Sequence, residues 1–257
     1  MKYAVAVSTY NNWEYLKLWM EGLYRSSTTP HTAIILFDGC TDNSRGYAIE
    51  WGNTLEQRYS MRHSLIMYSI PRSGICRSRN TIAQLAFRAG LDYVLFQSDD
   101  QVLGRRWDVS IERYMNHDTI ITPNQIHSSD LDLGPPESFD WEKWDATVDE
   151  VWSDDTEEGL IWGEHGISLK NFALIGGWPE ELDEINWGLT GDKKVNHMLK
   201  VRGIRSVKVN SYIWYHYGRV TSKKVGYRAG LHKSLWNDDS ITGPTEGEDI
   251  LCPERDF

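Results

Sequence analysis

The sequence predicts an α/β protein whose mostly parallel sheet is covered by helices on both faces. Two observations carry that prediction. Up to Gln97, short apolar runs alternate with segments whose apolar residues recur at three- and four-residue spacing, the β-α-β order of a parallel sheet. Each apolar run also ends in polar turn residues, which gathers them along one rim, outside the carboxyl ends of the strands where open α/β sheets bind ligands.

Residues 3–8 form the first strand candidate, ending at Thr9-Tyr10-Asn11. A helix over 13–24 follows, with Leu16, Trp19, Met20 and Leu23 on one face. Residues 33–37 are the second strand, closed by the turn-rich Asp38-Gly39-Cys40-Thr41-Asp42-Asn43-Ser44, and a more polar helix runs from Ser44 to about Tyr59. The third strand, 64–70, ends at Pro71-Arg72; the helix 78–89 after it uses Ile82, Leu85, Ala86 and Ala89, with Gly90 as its terminating glycine. The fourth strand, 93–97, leads through Ser98 into Asp99 and Asp100. Adjacent carboxylates at a strand end suit a hard divalent cation and, through it, a diphosphate, although such a pair also serves as a turn with a helix cap.

The remainder is less regular. Residues 137–158 carry ten acids against one lysine, and Trp141, Trp144, Val148 and Trp152 fall at helical spacing there. That pattern predicts a short amphipathic helix packing its aromatics inward, ahead of a sugar-stacking platform. Residues 174–181 are turn-forming, and 186–192 lead into a helix over 192–202 with Val195, Met198 and Leu199 on one face and Gly203 as terminator. Asp192 then lies in a first helical turn, where the helix dipole favours an acid by about 0.3–1 kcal/mol and lowers its pKa. A last strand, 211–215, ends at His216, and residues 219–233 are basic.

Composition excludes several classes. A chain of 257 residues with 40% hydrophobic and 25% charged residues can bury a sizeable core. Its net charge of −10 argues against a dedicated nucleic-acid binder. Three cysteines without metal-ligand spacing suggest neither a disulfide framework nor a zinc site, and a reducing, cytoplasmic setting fits them. The longest apolar runs, such as 33–37, are too short to span a bilayer, and the first residues lack a signal-peptide pattern. No Gly-x-Gly-x-x-Gly follows the first strand, which argues against a dinucleotide fold of the nicotinamide kind.

Thr9-Tyr10-Asn11, Asp38-Gly39-Cys40-Thr41-Asp42, Arg79-Asn80, Ser98-Asp99-Asp100, Gly176-Gly177-Trp178, Gly191-Asp192 and His216 appear in an order that resembles the landmarks of family 2 glycosyltransferases. The resemblance covers about residues 3–218 and implies the A-type glycosyltransferase fold, a Rossmann-like sheet flanked by helices. It implies a nucleotide-sugar-binding half over 1–103, an acceptor-binding half over 104–218 and a basic loop and tail over 219–257 that could form a lid. The activity implied is metal-dependent, inverting transfer from a nucleotide-sugar donor, a UDP-sugar, to a carbohydrate or other hydroxyl-bearing acceptor.

By the same resemblance, Thr9, Tyr10 and Asn11 would line the nucleotide pocket, Asp38 would accept from the base edge, and Arg79 would lie near the base or phosphates; Arg72, Arg77 and Arg79 also stand at the proposed rim, where one of them would meet a phosphate. Asp99 would meet the ribose and, with Asp100 and His216, the metal; Asp192 would be the general base, and Trp178 and Trp187 would face the acceptor. An imidazole among the ligands favours Mn2+ over Mg2+, which prefers all-oxygen coordination. The chain departs from the family pattern in three places. It has Phe37-Asp38 where two acids are usual, Gln97-Ser98-Asp99-Asp100 where Asp-x-Asp-Asp is usual, and Gly191 where an acid usually precedes the base. Three other readings remain: a nucleotidyltransferase, for which no phosphate-cradling glycine loop is present; a non-catalytic sugar-nucleotide or glycan-binding module; and a transferase acting on a modified nucleic-acid base, for which the 219–233 patch speaks.

Overall fold

The computed structural model describes residues 1–159, 164–180 and 189–218, except the side chains of 189–191 and 193. The predicted lid over 219–257, and Trp187, lie outside the described residues. The amino-terminal half follows the sequence pattern closely: β1 (Tyr3–Thr9), α1 (Trp13–Ser26), β2 (Thr32–Asp38), α2 (Ser44–Tyr59), β3 (Ser64–Ile70), α3 (Ile75–Arg88) and β4 (Tyr93–Ser98). Helix α3 starts three residues ahead of the expected Ser78, because Gly74, at φ 99°, breaks the preceding turn and lets Ile75 begin the helix. β1, β2 and β4 are continuous apolar runs because both their faces are covered, residues 4–7 of β1 being fully buried, whereas β3 at the sheet edge is partly exposed.

The carboxyl-terminal half mixes elements that the sequence pattern announces, around 141–152, 192–202 and 211–215, with others that it does not. In chain order all of them are β5 (Gln101–Leu103), α4 (Trp107–Glu112), β6 (Thr119–His127), a 3-10 turn (Pro136–Ser138), α5 (Trp141–Val151), β7 (Thr156–Glu158), β8 (His165–Ser168), α6 (Leu169–Leu174), α7 (Leu189–Val201) and β9 (Arg205–His216). One sheet runs in the order β3-β2-β1-β4-β8-β6-β9-β5, with β7 beside β9. Its first four strands are parallel, whereas β8 runs antiparallel to both β4 and β6, and β9 antiparallel to β5 and β7. The expectation of a mostly parallel sheet therefore holds for the first half and is corrected to a mixed sheet in the second.

Helices cover both faces. On one, Leu16, Trp19, Met20 and Leu23 of α1 and Trp107 of α4 pack on Val5, Val7 and Leu95. On the other, Ile82 and Ala86 of α3, Phe172 of α6 and Val195 and Leu199 of α7 pack on Ala6, Val94 and Phe96. In α5, Trp144 and Val148 are buried against Val102 and Ile213, so its aromatics do pack inward. Asp140 starts that helix by accepting a 2.9 Å hydrogen bond from the Lys143 amide. Among the described residues no helix is long and apolar enough to cross a membrane.

Candidate active site

The carboxyl ends of β1, β2, β3 and β4 open on one rim, as the parallel register requires. At the end of β1, Thr9 Oγ1 donates a 2.6 Å hydrogen bond to Asp99 Oδ2, both residues being nearly fully buried. Asn11 adopts a left-handed conformation at φ 48°. From there its Oδ1 accepts from the Thr41 and Asp42 amides at 2.8 and 3.2 Å, stitching the loop after β1 to the loop after β2.

Asp38, at the end of β2, spends its carboxylate on the turn after β3. It accepts from Arg72 Nη1 at 2.5 Å, from the Ser73 amide and hydroxyl at 2.7 and 3.0 Å, and from the Gly74 amide at 3.1 Å. Four bonds on a 3% exposed residue leave it organising the loop, where the resemblance had it accept from a nucleotide base. Gly39 follows by steric need, since a Cβ there would stand 2.5 Å from the Arg72 Cβ, at φ +71°. The Arg72 guanidinium lies 4.1 Å from the centre of the Tyr10 ring, so Tyr10, Arg72 and Asp38 form one wall of the rim.

Asp100 faces β9. His216 Nε2 lies 3.4 Å from Asp100 Oδ1, and the Tyr217 amide donates to the Asp100 carbonyl at 3.1 Å. Burial alone would lower the His216 pKa, but the hydrogen bond and charge of Asp100, with the charge of Glu164, outweigh it and raise it to about 9. The other ring nitrogen, Nδ1, is buried without a hydrogen-bond partner. With its pKa so raised the ring carries a proton on each nitrogen near neutrality, and a divalent cation completed by a diphosphate would take the place of the Nε2 proton that now faces Asp100, using the carboxylate and imidazole as its donor set. Among the described residues no three His, Cys, Asp or Glu side chains converge to hold a cation by themselves. His127 of β6 pairs with His216 in register, their rings 5.3 Å apart.

Asp192, in the first turn of α7, is 6% exposed and accepts from Arg79 Nη1 of α3 at 3.2 Å. Its helix-start position by itself would depress the pKa, but burial dominates and raises it to about 7, Arg79 opposing the rise and Glu164 adding to it. Arg79, itself 6% exposed, lies with its guanidinium 4.0 Å from the centre of the Trp178 ring. It is thus brought to the Asp192 carboxylate. Trp178 is 2% exposed, so in this conformation it holds Arg79 in place rather than offering a ring face to an acceptor. Asn80 anchors the Trp178 loop, accepting from the Trp178 amide at 2.8 Å and donating to its carbonyl at 2.9 Å.

Sequence reasoning missed Glu164 and His127. Glu164 precedes β8, is 7% exposed, and accepts from Ser98 Oγ at 2.5 Å and Gln125 Nε2 at 3.4 Å. The signal available was a Glu-His pair entering the short run 166–168, too brief to register as a strand.

No protein-family model matches the sequence, and no curated protein matches it. Solved structures share its fold. S. aureus TarS superposes with a TM-score of 0.59 at 14% identity, over 84% of this chain and 37% of its own; a shorter TarS structure is a complex with UDP. GalNAc-T7, solved with UDP, GalNAc and Mn2+, gives 0.62 at 12% identity, over 84% of this chain and 44% of its own. The mannosyltransferase PcManGT from Pyrobaculum calidifontis, solved with GDP-Man and Mn2+, gives 0.63 at 13% identity, over 95% of this chain and 65% of its own. The chain thus spans less than two thirds of the length of each, and what it shares with them is the A-type glycosyltransferase fold.

Proposed function

We propose that this protein is a metal-dependent glycosyltransferase that moves a sugar from a UDP-sugar to an acceptor hydroxyl with inversion. The observation that carries the reading is Asp192, a buried carboxylate with a pKa raised to about 7, held by Arg79 near the rim that also bears Asp99, Asp100 and His216. A base of that pKa is ionised in useful amount at neutral pH and still binds a proton well. UDP is the nucleotide in the TarS and GalNAc-T7 complexes, which supports it as the first donor to try.

In this reaction the Asp192 carboxylate takes the proton of the acceptor hydroxyl while that oxygen attacks the anomeric carbon. The bond from that carbon to the diphosphate oxygen breaks, and its electron pair leaves with the nucleoside diphosphate. Arg79, stacked on Trp178, fixes the orientation of Asp192. Asp100 and His216 would hold a divalent cation, Mn2+ by ligand type, which when bound supplies positive charge against the leaving diphosphate. Asp99, tied to Thr9, faces the nucleotide side, where Tyr10 and Arg72 form the adjoining wall.

Calorimetric titration of UDP, GDP, CDP and ADP, each with and without Mn2+, tests the reading. One diphosphate should bind, and bind in a metal-dependent way. Absence of binding by all four overturns the proposal and returns the Asp99-Asp100 turn to a structural role.

A further inference from the structure

Glu164 is a buried carboxylate that the reaction just described does not use. Its oxygens accept one close hydrogen bond, from the Ser98 hydroxyl at 2.5 Å, and one long one, from the Gln125 amide at 3.4 Å. Among the described residues no lysine, arginine or histidine forms an ion pair with it. A carboxylate offers about four acceptor positions. One 93% removed from solvent, with no cation and with positions unfilled among the described residues, is unfavourable unless a further group donates to it.

Its place in the site defines that group. Ser98 immediately precedes Asp99 and Asp100, and Gln125 lies on β6 just ahead of His127, which pairs in register with His216. Glu164 therefore joins the end of β4 to the strand that adjoins His216, beside the proposed cation pair. In a transfer reaction the donor sugar lies next to the cation-bound diphosphate, its anomeric carbon between the leaving oxygen and the acceptor oxygen. A phosphate would be repelled there. A role as a third cation ligand is also disfavoured, because among the described residues Glu164 does not converge with two other ligating side chains. What remains is a neutral group rich in donors.

Resting on the transferase reading, we propose that Glu164 accepts hydrogen bonds from the hydroxyl groups of the donor sugar and thereby selects which sugar is transferred. Ser98 orients the carboxylate by occupying one oxygen, leaving Oε2, with its long and weak Gln125 contact, to face the sugar.

The test compares affinity for the nucleoside diphosphate with affinity for its sugar conjugates. With Mn2+ present, UDP, UDP-glucose, UDP-galactose and UDP-GlcNAc are titrated into wild type, Glu164→Gln and Glu164→Ala, with the corresponding GDP set if GDP is the nucleotide that binds. Both variants should bind the bare diphosphate as wild type does and lose about tenfold to a hundredfold of affinity for the preferred conjugate, the range for hydrogen bonds to a charged group. A deoxy donor lacking the hydroxyl concerned should bind wild type as weakly as the parent donor binds Glu164→Ala, an equality that a merely structural residue would not produce. Equal weakening of diphosphate and conjugate, or an unchanged preference among sugars, overturns the role of Glu164 while leaving the transferase reading intact. Absence of any diphosphate binding by the wild type overturns both.

Discussion

Asp192 shows burial and helix position pulling a carboxylate in opposite directions. Residence in the first turn of α7 favours the ionised form by only about 0.3–1 kcal/mol, whereas loss of solvent is the larger effect, and the pKa rises to about 7 even beside Arg79. The sign follows directly for a base: kcat/KM should climb with pH up to about 7 and level off above it, because below that value Asp192 carries the proton it must be free to accept. Asp192→Asn should reduce transfer by roughly 10²–10⁴-fold while leaving UDP affinity nearly unchanged. An equal loss of UDP binding in that variant would show that the residue holds the donor instead. Asp192, Asp100 and His216 were legible in the sequence because each ends or begins an element with a clear apolar period. Glu164 and His127 were not, since Glu164 lies just ahead of a four-residue strand and His127 is an exposed strand-end residue that only the pairing of β6 with β9 brings beside His216.

The connection between α1 and β2 is held from the opposite side by α4. Asp108, in its first turn, accepts from the Thr28 amide and hydroxyl at 2.6 and 2.8 Å, from the Thr29 amide at 3.2 Å, and pairs with His31 Nε2 at 3.0 Å. Burial raises the Asp108 pKa, but these hydrogen bonds outweigh it and bring it to about 2. His63, ahead of β3, accepts from the His31 amide at 3.0 Å and is 4% exposed; burial first, then the neighbouring His31, lower its pKa to about 4. Its stabilising share is complete above pH 6.5 and disappears as pH falls through about 4, because only the unfolded chain binds the proton easily in between. Asp108 responds later, as pH falls below its ordinary carboxylate range toward 2, so the two windows are separable. Urea unfolding free energies at pH 7 and pH 4.5 should differ more for wild type than for His63→Gln, by up to about 3 kcal/mol. Identical losses in both proteins would remove His63 from the account. The sequence signalled the seven leading elements because covered parallel strands and amphipathic helices carry strong periods. It did not signal β5, β7 and β8, which have only three, three and four residues and take their strand character from pairing with β9 and β4.

The sheet order β3-β2-β1-β4-β8-β6-β9-β5 explains why the proposed cation pair could be named from the sequence but not assembled from it. Asp100 follows β4 in the middle of the sheet, whereas His216 ends β9 near the far edge; they meet because β5, starting at Gln101 just after Asp100, pairs antiparallel with β9 and puts Gln101 opposite His216. Coupling between ligand and fold follows from that arrangement. A diphosphate and cation held by Asp99 and Thr9 on the parallel side and by Asp100 and His216 at the β9 end would bridge both halves of the sheet, and only the folded chain brings those residues together. At a hundredfold excess over Kd such a ligand adds about 2.7 kcal/mol of stability. For a chain of this size that amounts to a rise in Tm of roughly 5–10 °C. Thermal melting with UDP and Mn2+ should show this rise in wild type and in Asp192→Asn. Asp100→Ala and His216→Ala should keep only the smaller shift that UDP gives in the presence of a chelator. A full metal-dependent shift in Asp100→Ala would mean that the cation is held elsewhere, and Asp99, already tied to β1 through Thr9, would become the carboxylate to test next.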